Sequence, residues 1–160
     1  MKAISIKEPW ATRILNEGKT IETRTWATKY RGPLILCASA SPKGPLAGHS
    51  FAITNLVECR PMVPEDEAEA QCIYLPGLYS WIFKDVKSIH RVPVKGKLGF
   101  FDLEFNGTKV LSRTACSKRF FRDEVEAAVG LMAAQKRKNA REKRYYRCSG
   151  CNGYHLTSQG

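Results

Sequence analysis

Short apolar runs separated by glycine and proline dominate the first two thirds of the chain. Residues 3–6 and 34–38 are predicted to be buried strands. Residues 20–26 alternate, so Ile21, Thr23 and Thr25 are expected on one strand face and Glu22, Arg24 and Trp26 on the other. Further strands are predicted at residues 51–58, 79–83 and 97–105. Many short strands with such joints predict a mainly β fold, a small barrel with short helices.

Three segments carry helical signals. A short helix is predicted to begin at Pro9 and to end at Gly18. Residues 64–71 have the composition of an acidic surface helix. Asp123 opens a capping-box pattern, and the helix predicted there runs to about Ala140. Its expected buried stripe consists of Val125, Ala128, Val129 and Met132.

Charge divides the chain of 160 residues into two parts. Residues 1–112 carry 15 basic and 11 acidic side chains, whereas residues 113–160 carry 11 and 4. The densest basic segment, residues 136–147, has 7 basic residues out of 12. A boundary is therefore predicted near residues 111–115, between a first domain of residues 1–110 and a second of residues 111–160.

The net charge of +11 favours a polyanionic partner, and nucleic acid is the commonest one. No apolar run approaches the ~20 residues of a membrane-spanning helix. The N-terminus also lacks the apolar stretch of a signal peptide. We therefore expect a cytoplasmic protein without a membrane partner, whose six cysteines are reduced or metal-bound.

Five segments spread over residues 2–104 form a collinear pattern: 4–11 (ISIKEPWA), 18–26 (GKTIETRTW), 30–34 (YRGPL), 77–81 (GLYSW) and 93–99 (PVKGKLG). The pattern resembles the ASCH (activating signal cointegrator homology) domain. The resemblance implies a PUA-like β-barrel with a groove on one side and a role in binding RNA or other nucleic acid. Some ASCH proteins are amidohydrolases of acetylated cytidine, and one is a ribonuclease, so both binding and catalysis stay open.

The predicted groove centres on Lys19, Glu22 and Arg24, beside which Trp10 and Trp26 add flat aromatic surface. The cations suit a phosphate and an indole can stack a base, while Glu22 can orient Arg24 or accept from a base amino group. The alternative is structural. Glu22 and Arg24 would then form an ion pair that fastens the barrel, and both tryptophans would pack in its core.

Catalysis at this groove would use Lys19 and Glu22 for acid–base chemistry. The amidohydrolases of the family are similar in having Lys-x-x-Thr at this turn. Here the third position after Lys19 is Glu22, and Thr20 and Thr23 are displaced from the nucleophile position. We therefore assign no catalytic residue. A nucleoside hydrolase, a ribonuclease and a protein-interaction adaptor are the alternative functions.

The second part contains a C-x31-C-x2-C-x3-H pattern formed by Cys116, Cys148, Cys151 and His155. Two cysteines two residues apart bind one zinc ion from a tight turn, which Gly150 and Gly153 allow. The tail resembles the zinc-ribbon-like C-termini of many small phage and actinobacterial proteins, and this resemblance selects Cys116 as the remote ligand. Four ligands leave no open position, so we predict one structural Zn²⁺ per chain. A redox pair of Cys148 and Cys151 is disfavoured, because such a motif opens a helix after a strand and this one lies in a Gly-rich turn. Two thiols without a function are the other alternative.

The basic segment beside this cluster is expected to contact phosphate through Lys136, Arg137, Lys138 and Arg141. A solvated helix end is the alternative interpretation. Three other cysteines lack ligand spacing and are expected to be small buried side chains, namely Cys37, Cys59 and Cys72. Together the two parts predict a nucleic-acid-binding protein, with RNA favoured over DNA by the resemblance alone.

Overall fold

The computed structural model describes residues 1–111, 116 and 118–159. They form two compact units, residues 1–110 and residues 111–160. The predicted boundary at residues 111–115 lies, beyond Leu111, outside the described residues. The mainly β fold with a few short helices is confirmed, since 40% of the chain is strand and 17% is helix.

The first unit is built on one six-stranded sheet with the order β2-β5-β4-β3-β1-β6. β1 pairs with β3 in parallel, and the other neighbouring strands are antiparallel. The elements of this unit are β1 (Lys2–Ile6), α1 (Trp10–Asn16), β2 (Ile21–Arg24), β3 (Gly32–Ala38), β4 (His49–Pro61), α2 (Glu67–Ala70), β5 (Tyr79–Pro93), β6 (Phe100–Asp102) and β7 (Glu104–Phe105), followed by β8 (Val110–Leu111).

β3 lies near the centre of this sheet, and its residues from Leu34 to Ala38 are buried on both faces. One face packs with Ile4, Ile6 and Trp81 in the larger core, whereas the other packs with Phe101 in a smaller core. Burial on two faces explains why this strand is continuously apolar rather than alternating.

The long strands β4 and β5 extend well beyond the predicted segments 51–58 and 79–83. Their pairing shifts register between Ser50 and Ala52 and at two later points, which marks bulges that bend both strands. The predicted strand 97–105 is wrong at its start, because residues 97–99 form a loop before β6. This loop carries Gly99 at φ 65°, a left-handed conformation that breaks strand geometry.

α1 is held by the buried carboxylate of Glu8. Its Oε2 accepts from the backbone N–H and the hydroxyl of Thr12, and its Oε1 accepts from the N–H of Leu46. A Cβ at Gly44 would lie 2.5 Å from Glu8 Cγ, so only glycine fits that turn. These contacts fix the start of α1, which carries Trp10.

The second unit combines α3 (Glu124–Gln135) with a hairpin of β9 (Arg144–Arg147) and β10 (Tyr154–Thr157). Asp123 caps α3 as predicted, accepting from the N–H of Glu126 at 2.8 Å. The prediction that this helix runs to Ala140 is wrong, since it ends at Gln135 and β9 takes up the end of the basic segment.

The predicted buried stripe of α3 is also wrong. Val125, Val129 and Met132 are 74%, 61% and 63% exposed, whereas Ala127 and Ala134 are buried. The physical reason is close approach on the small-residue face. A Cβ at Gly130 would lie 2.3 Å from Phe121 Cε1, so only a face of small residues can pack against the Phe121 ring. The face with the larger apolar side chains is therefore exposed to solvent.

No helix in the part of the chain that the structure describes is both long enough and apolar enough to cross a membrane.

Candidate nucleic-acid groove and metal centre

A groove of about 690 Å³ opens on the first unit, and we call it the first-unit groove. The structure brings the predicted residues Lys19, Glu22, Arg24 and Trp26 together in its lining, with Trp10 beside them. The charged lining residues are five cations and one carboxylate, namely Lys7, Lys19, Arg24, Lys95, Lys97 and Glu22. The groove therefore has an excess of positive charge.

Lys19 is among the lining residues of this groove and is only 2% exposed. Its ammonium group donates to the backbone carbonyls of Ile21 and Ala70 and lies 3.9 Å from Glu22 Oε2. Burial lowers the pKa of Lys19, and the nearby Glu22 carboxylate opposes that shift. Because its ammonium donates to carbonyls within the protein, Lys19 joins β2 to α2 and places a positive charge next to Glu22.

Glu22 and Arg24 form an ion pair, with Arg24 Nη2 3.3 Å from Glu22 Oε1. The same nitrogen donates to the carbonyl oxygen of Ser5 at 2.6 Å, so Arg24 also joins β2 to β1. Burial raises the pKa of Glu22, while Arg24 and Lys19 act in the opposite direction. The ion pair of the structural alternative is thus present, and it lies in the lining of the groove.

Both tryptophans combine packing with exposure to the groove. Trp26 contacts Trp81 edge-on, with ring centroids 4.6 Å apart, and Phe100 at 5.6 Å. The Trp10 ring lies below Lys19 Nζ at 5.1 Å and below the Arg13 guanidinium at 4.8 Å. Each indole is half-buried against the larger core and retains an accessible surface.

Sequence reasoning did not assign Lys7, Lys95 and Lys97 to the site, although all three line the groove. The two later lysines lie in the loop between β5 and β6, within the segment PVKGKLG that the family resemblance had already marked. Gly96 allows this loop to approach β1, because a Cβ there would lie 2.4 Å from Ser5 Oγ. The segment PVKGKLG was thus the sequence signal for these two lysines, but only the folded structure shows that they line the groove.

Neither threonine at the predicted turn is arranged as a nucleophile. The hydroxyl of Thr20 donates to Glu69 at 3.0 Å, and that of Thr23 lies 3.9 Å from the Cys72 sulfur. Within the described residues, neither hydroxyl forms a hydrogen bond with Lys19 or Glu22. A nucleophile paired with a base is the usual signature of covalent catalysis, and these threonines do not form one.

The second unit brings all four predicted metal ligands together. The ligand atoms of Cys116, Cys148, Cys151 and His155 lie within 4.8 Å of one another, so the cluster can hold a metal ion. Two of these pairs are in close contact, the sulfurs of Cys116 and Cys148 at 3.4 Å and Cys151 Sγ with His155 Nε2 at 3.3 Å. Cys151 and His155 are buried, which favours a structural rather than an open site.

Backbone geometry prepares this cluster for a cation. Burial alone would raise the pKa of Cys148, but the backbone N–H groups of Cys151 and Gly150, together with hydrogen bonds from the Cys116 and Cys151 thiols, lower it to about 6. His155 Nδ1 lies 2.7 Å from the carbonyl oxygen of Arg119. Because a carbonyl only accepts, Nδ1 carries the hydrogen and Nε2 keeps its lone pair for a metal.

The four predicted cations of the basic segment do not share one helical face. Lys136 caps the end of α3, and Lys138 lies in the exposed turn that follows. Arg137 and Arg141 border a second cavity, within the second unit. Lys136 lies at the C-terminal end of α3, where the helix dipole favours a cation, whereas Arg141 lies beyond the reach of that dipole.

A protein-family model described as the ASCH domain matches residues 4–93. No curated protein matches the chain. Among solved structures, an ASCH mutant protein from Zymomonas mobilis is 12% identical, with a TM-score of 0.48 over 64% of this chain and 89% of that one. A second ASCH structure from the same organism is 13% identical, with a TM-score of 0.42 over 59% of this chain and 72% of that one.

Proposed function

The chain belongs to the ASCH domain family, and we propose that it binds RNA through the first-unit groove. ASCH domains have a PUA-like fold that is generally linked to RNA binding. The observation that carries the proposal is the composition of the groove: five cations, one buried carboxylate and two half-buried indoles around about 690 Å³. A groove of this volume accommodates a nucleotide.

Each class of lining residue has a separate role in this proposal. Lys95 and Lys97 are exposed and contact the phosphate backbone. Trp26 provides a face on which an unpaired base stacks. Arg24, held by Glu22 and Ser5, offers a planar cation to a phosphate or a base edge.

The Cys₃His cluster is proposed to bind one structural zinc ion. With Zn–S and Zn–N bonds of about 2.3 and 2.1 Å, tetrahedral geometry requires S···S and S···N separations of about 3.8 and 3.6 Å. The Cys116–Cys148 and Cys151–His155 pairs, at 3.4 and 3.3 Å, are slightly shorter than these separations, and all four ligand atoms lie within 4.8 Å of one another, so small movements would give tetrahedral geometry. Three thiolates and one imidazole are a common zinc donor set, and the ion would stabilise a unit with few buried apolar side chains.

The basic segment is proposed to add phosphate contacts through Lys136, Arg137, Lys138 and Arg141. Their exposure lets them reach a strand, and such contacts are independent of nucleotide sequence. The proposed division of labour is recognition by the first unit and additional phosphate binding by the second.

The groove is tested by measuring the affinity of the full chain for a fluorescein-labelled, mixed-sequence 12-nucleotide RNA at several salt concentrations. The variant Lys95→Gln/Lys97→Gln should reduce the slope of log affinity against log salt by about 1.4, since each single-strand phosphate contact contributes about 0.7. The matched control is Lys84→Gln/Lys87→Gln, which removes two exposed lysines outside the groove. Equal losses in both variants would contradict a role for the groove.

A further inference from the structure

The second unit contains a cavity of about 530 Å³, which we call the second-unit cavity. Its charged lining consists of four cations and one carboxylate. Thr157, Ser158 and Gln159 add hydroxyl and amide groups, and no aromatic ring is among the lining residues. This composition suits phosphate oxygens and offers no platform for base stacking. The charged lining residues are Lys118, Arg119, Arg137, Arg141 and Glu142.

The four cations have no carboxylate partner among the residues that the structure describes. Within the described residues, no ion pair involves Lys118, Arg119, Arg137 or Arg141. The one carboxylate in the lining, that of Glu142, accepts from the backbone N–H of Arg141 at 3.1 Å. Four like charges around one cavity repel one another, and a bound anion would relieve that repulsion.

Aromatic side chains hold two of these cations in place. Lys118 Nζ donates to the Tyr146 hydroxyl at 3.2 Å and lies 5.3 Å from the centre of its ring. The Arg119 guanidinium lies 5.1 Å from the centre of the Phe121 ring. Cation–π contacts of this kind orient a charge without neutralising it, so both cations stay available to an anion.

The metal cluster supports the same wall of the cavity. His155 donates through Nδ1 to the carbonyl oxygen of Arg119, and its ring lies 5.9 Å from that of Tyr146. The position of His155 therefore affects two cations of the cavity, Arg119 through its backbone carbonyl and Lys118 through the Tyr146 ring that it contacts. Occupation of the cluster would keep this wall in shape.

We propose that the second-unit cavity is a phosphate pocket that binds the backbone of single-stranded nucleic acid and whose wall is positioned by the metal cluster. The proposal rests on the proposed function and deepens it by naming the pocket and the chemical group that it holds. Binding is indifferent to the base, because the lining contains donors for phosphate and no ring for stacking.

The experiment uses the full chain, loaded with one equivalent of zinc, and fluorescein-labelled 12-nucleotide oligouridine in a salt titration. Arg137→Gln/Arg141→Gln should reduce the salt slope by about 1.4, and by the same amount with oligoadenosine. The matched control is Arg122→Gln/Lys143→Gln, two exposed cations of the same unit that do not line the cavity, for which little change is expected. Retained metal content and an unchanged melting temperature show that both variants fold.

Equal slopes for the pocket and control variants would overturn the pocket. If Lys95→Gln/Lys97→Gln still weakens binding in that case, the groove proposal stands alone, whereas loss of neither effect contradicts both proposals. A poly-glutamate peptide of matched charge that competes as strongly as oligouridine would also overturn the pocket, because it would show preference for an acidic polypeptide.

Discussion

Asp66 and Arg60 form a two-point ion pair, with Arg60 Nη1 2.8 Å from Asp66 Oδ2 and Nη2 2.7 Å from Oδ1. Asp66 also accepts from the Ser80 hydroxyl at 2.7 Å and from the N–H of Val63. The pair therefore ties the turn before α2 to both long strands of the sheet. Arg60, together with Ser80 and Val63, lowers the pKa of Asp66 to about 2.

Asp66→Asn should lower the free energy of unfolding at pH 7 by about 1–2 kcal/mol. This figure is the free energy that corresponds to the lowered pKa of Asp66, reduced because solvent around Arg60 screens the ion pair. The stabilisation by the carboxylate is complete above its unfolded pKa of about 4 and is lost as the pH falls toward 2. Urea unfolding should therefore show a smaller difference in the free energy of unfolding between the native chain and Asp66→Asn at pH 2 than at pH 7.

The control for this prediction is Asp102→Asn, which removes an exposed ion pair between Asp102 and Lys2. Its effect should stay within about 0.5 kcal/mol at both pH values. A difference between Asp66→Asn and the native chain that does not shrink at low pH would show that the effect is packing rather than charge.

Arg24→Lys separates ligand binding from structure in the first-unit groove. Lysine keeps the charge but loses the planar fork, so RNA affinity should fall by about 1–3 kcal/mol. Fluorescence anisotropy with the labelled 12-nucleotide RNA measures that loss, and a thermal melt measures stability. A lower melting temperature with unchanged affinity would assign Arg24 to its contacts with Glu22 and Ser5 alone.

Arg31→Lys is the matched control for Arg24→Lys. Arg31 donates to the backbone carbonyls of Thr28, Tyr30 and Cys59, and it lies outside the groove lining. It therefore makes comparable backbone contacts without a place in the proposed site, and its replacement should leave RNA affinity unchanged.

Elemental analysis of the purified full chain should find one zinc ion per molecule, and Cys148→Ser should reduce that content to near zero. The second unit should then unfold, because the ion replaces the large apolar core that this unit lacks. All three tryptophans lie in the first unit. The urea unfolding transition that tryptophan fluorescence monitors should therefore be the same in Cys148→Ser as in the native chain.

Cys59→Ser controls for the loss of a thiol as such, since Cys59 belongs to the first unit and is not one of the four cluster residues. It should leave the zinc content unchanged. A native chain that contains no metal while all of its cluster thiols react freely with a thiol reagent would contradict the zinc prediction.

His155→Cys tests the link between the metal and the phosphate pocket. The variant keeps four ligands but loses the N–H that His155 donates to Arg119. Zinc content should stay at one per chain, while the salt slope for oligouridine should fall by about 0.7, as expected for Arg119→Gln. A native slope in His155→Cys with a reduced slope in Arg119→Gln would show that the metal cluster does not position Arg119.

The Cys₃His cluster could be predicted from sequence because three of its four residues are close together along the chain. Cys148, Cys151 and His155 lie within eight positions, and the two glycines between them predict a turn. The groove was only partly predictable, because Lys95 and Lys97 reach it through a loop whose course depends on the pairing of β6 with β1. Alternation along β2 located Glu22 and Arg24, since neighbours of the same strand face follow a period of two.

The face of α3 could not be predicted from hydropathy, for a physical reason. Hydropathy favours large apolar residues such as Val125 and Met132, but close packing against Phe121 selects small ones. Ala127, Gly130 and Ala134 have the i, i+3, i+7 spacing of a helical face, and their signal is steric rather than hydrophobic. Which of two competing faces is buried depends on the partner, which only the tertiary structure supplies.

The place of β1 between β3 and β6 has a consequence for how the first unit forms during synthesis. β1 precedes the other strands of its sheet along the chain, yet its antiparallel partner β6 ends at Asp102, about a hundred residues later. Until that segment leaves the ribosome, one edge of β1 has no strand to pair with. We expect such a fold, rich in contacts between residues distant in sequence, to form slowly, and β1 stays available for incorrect pairing until β6 has been synthesised.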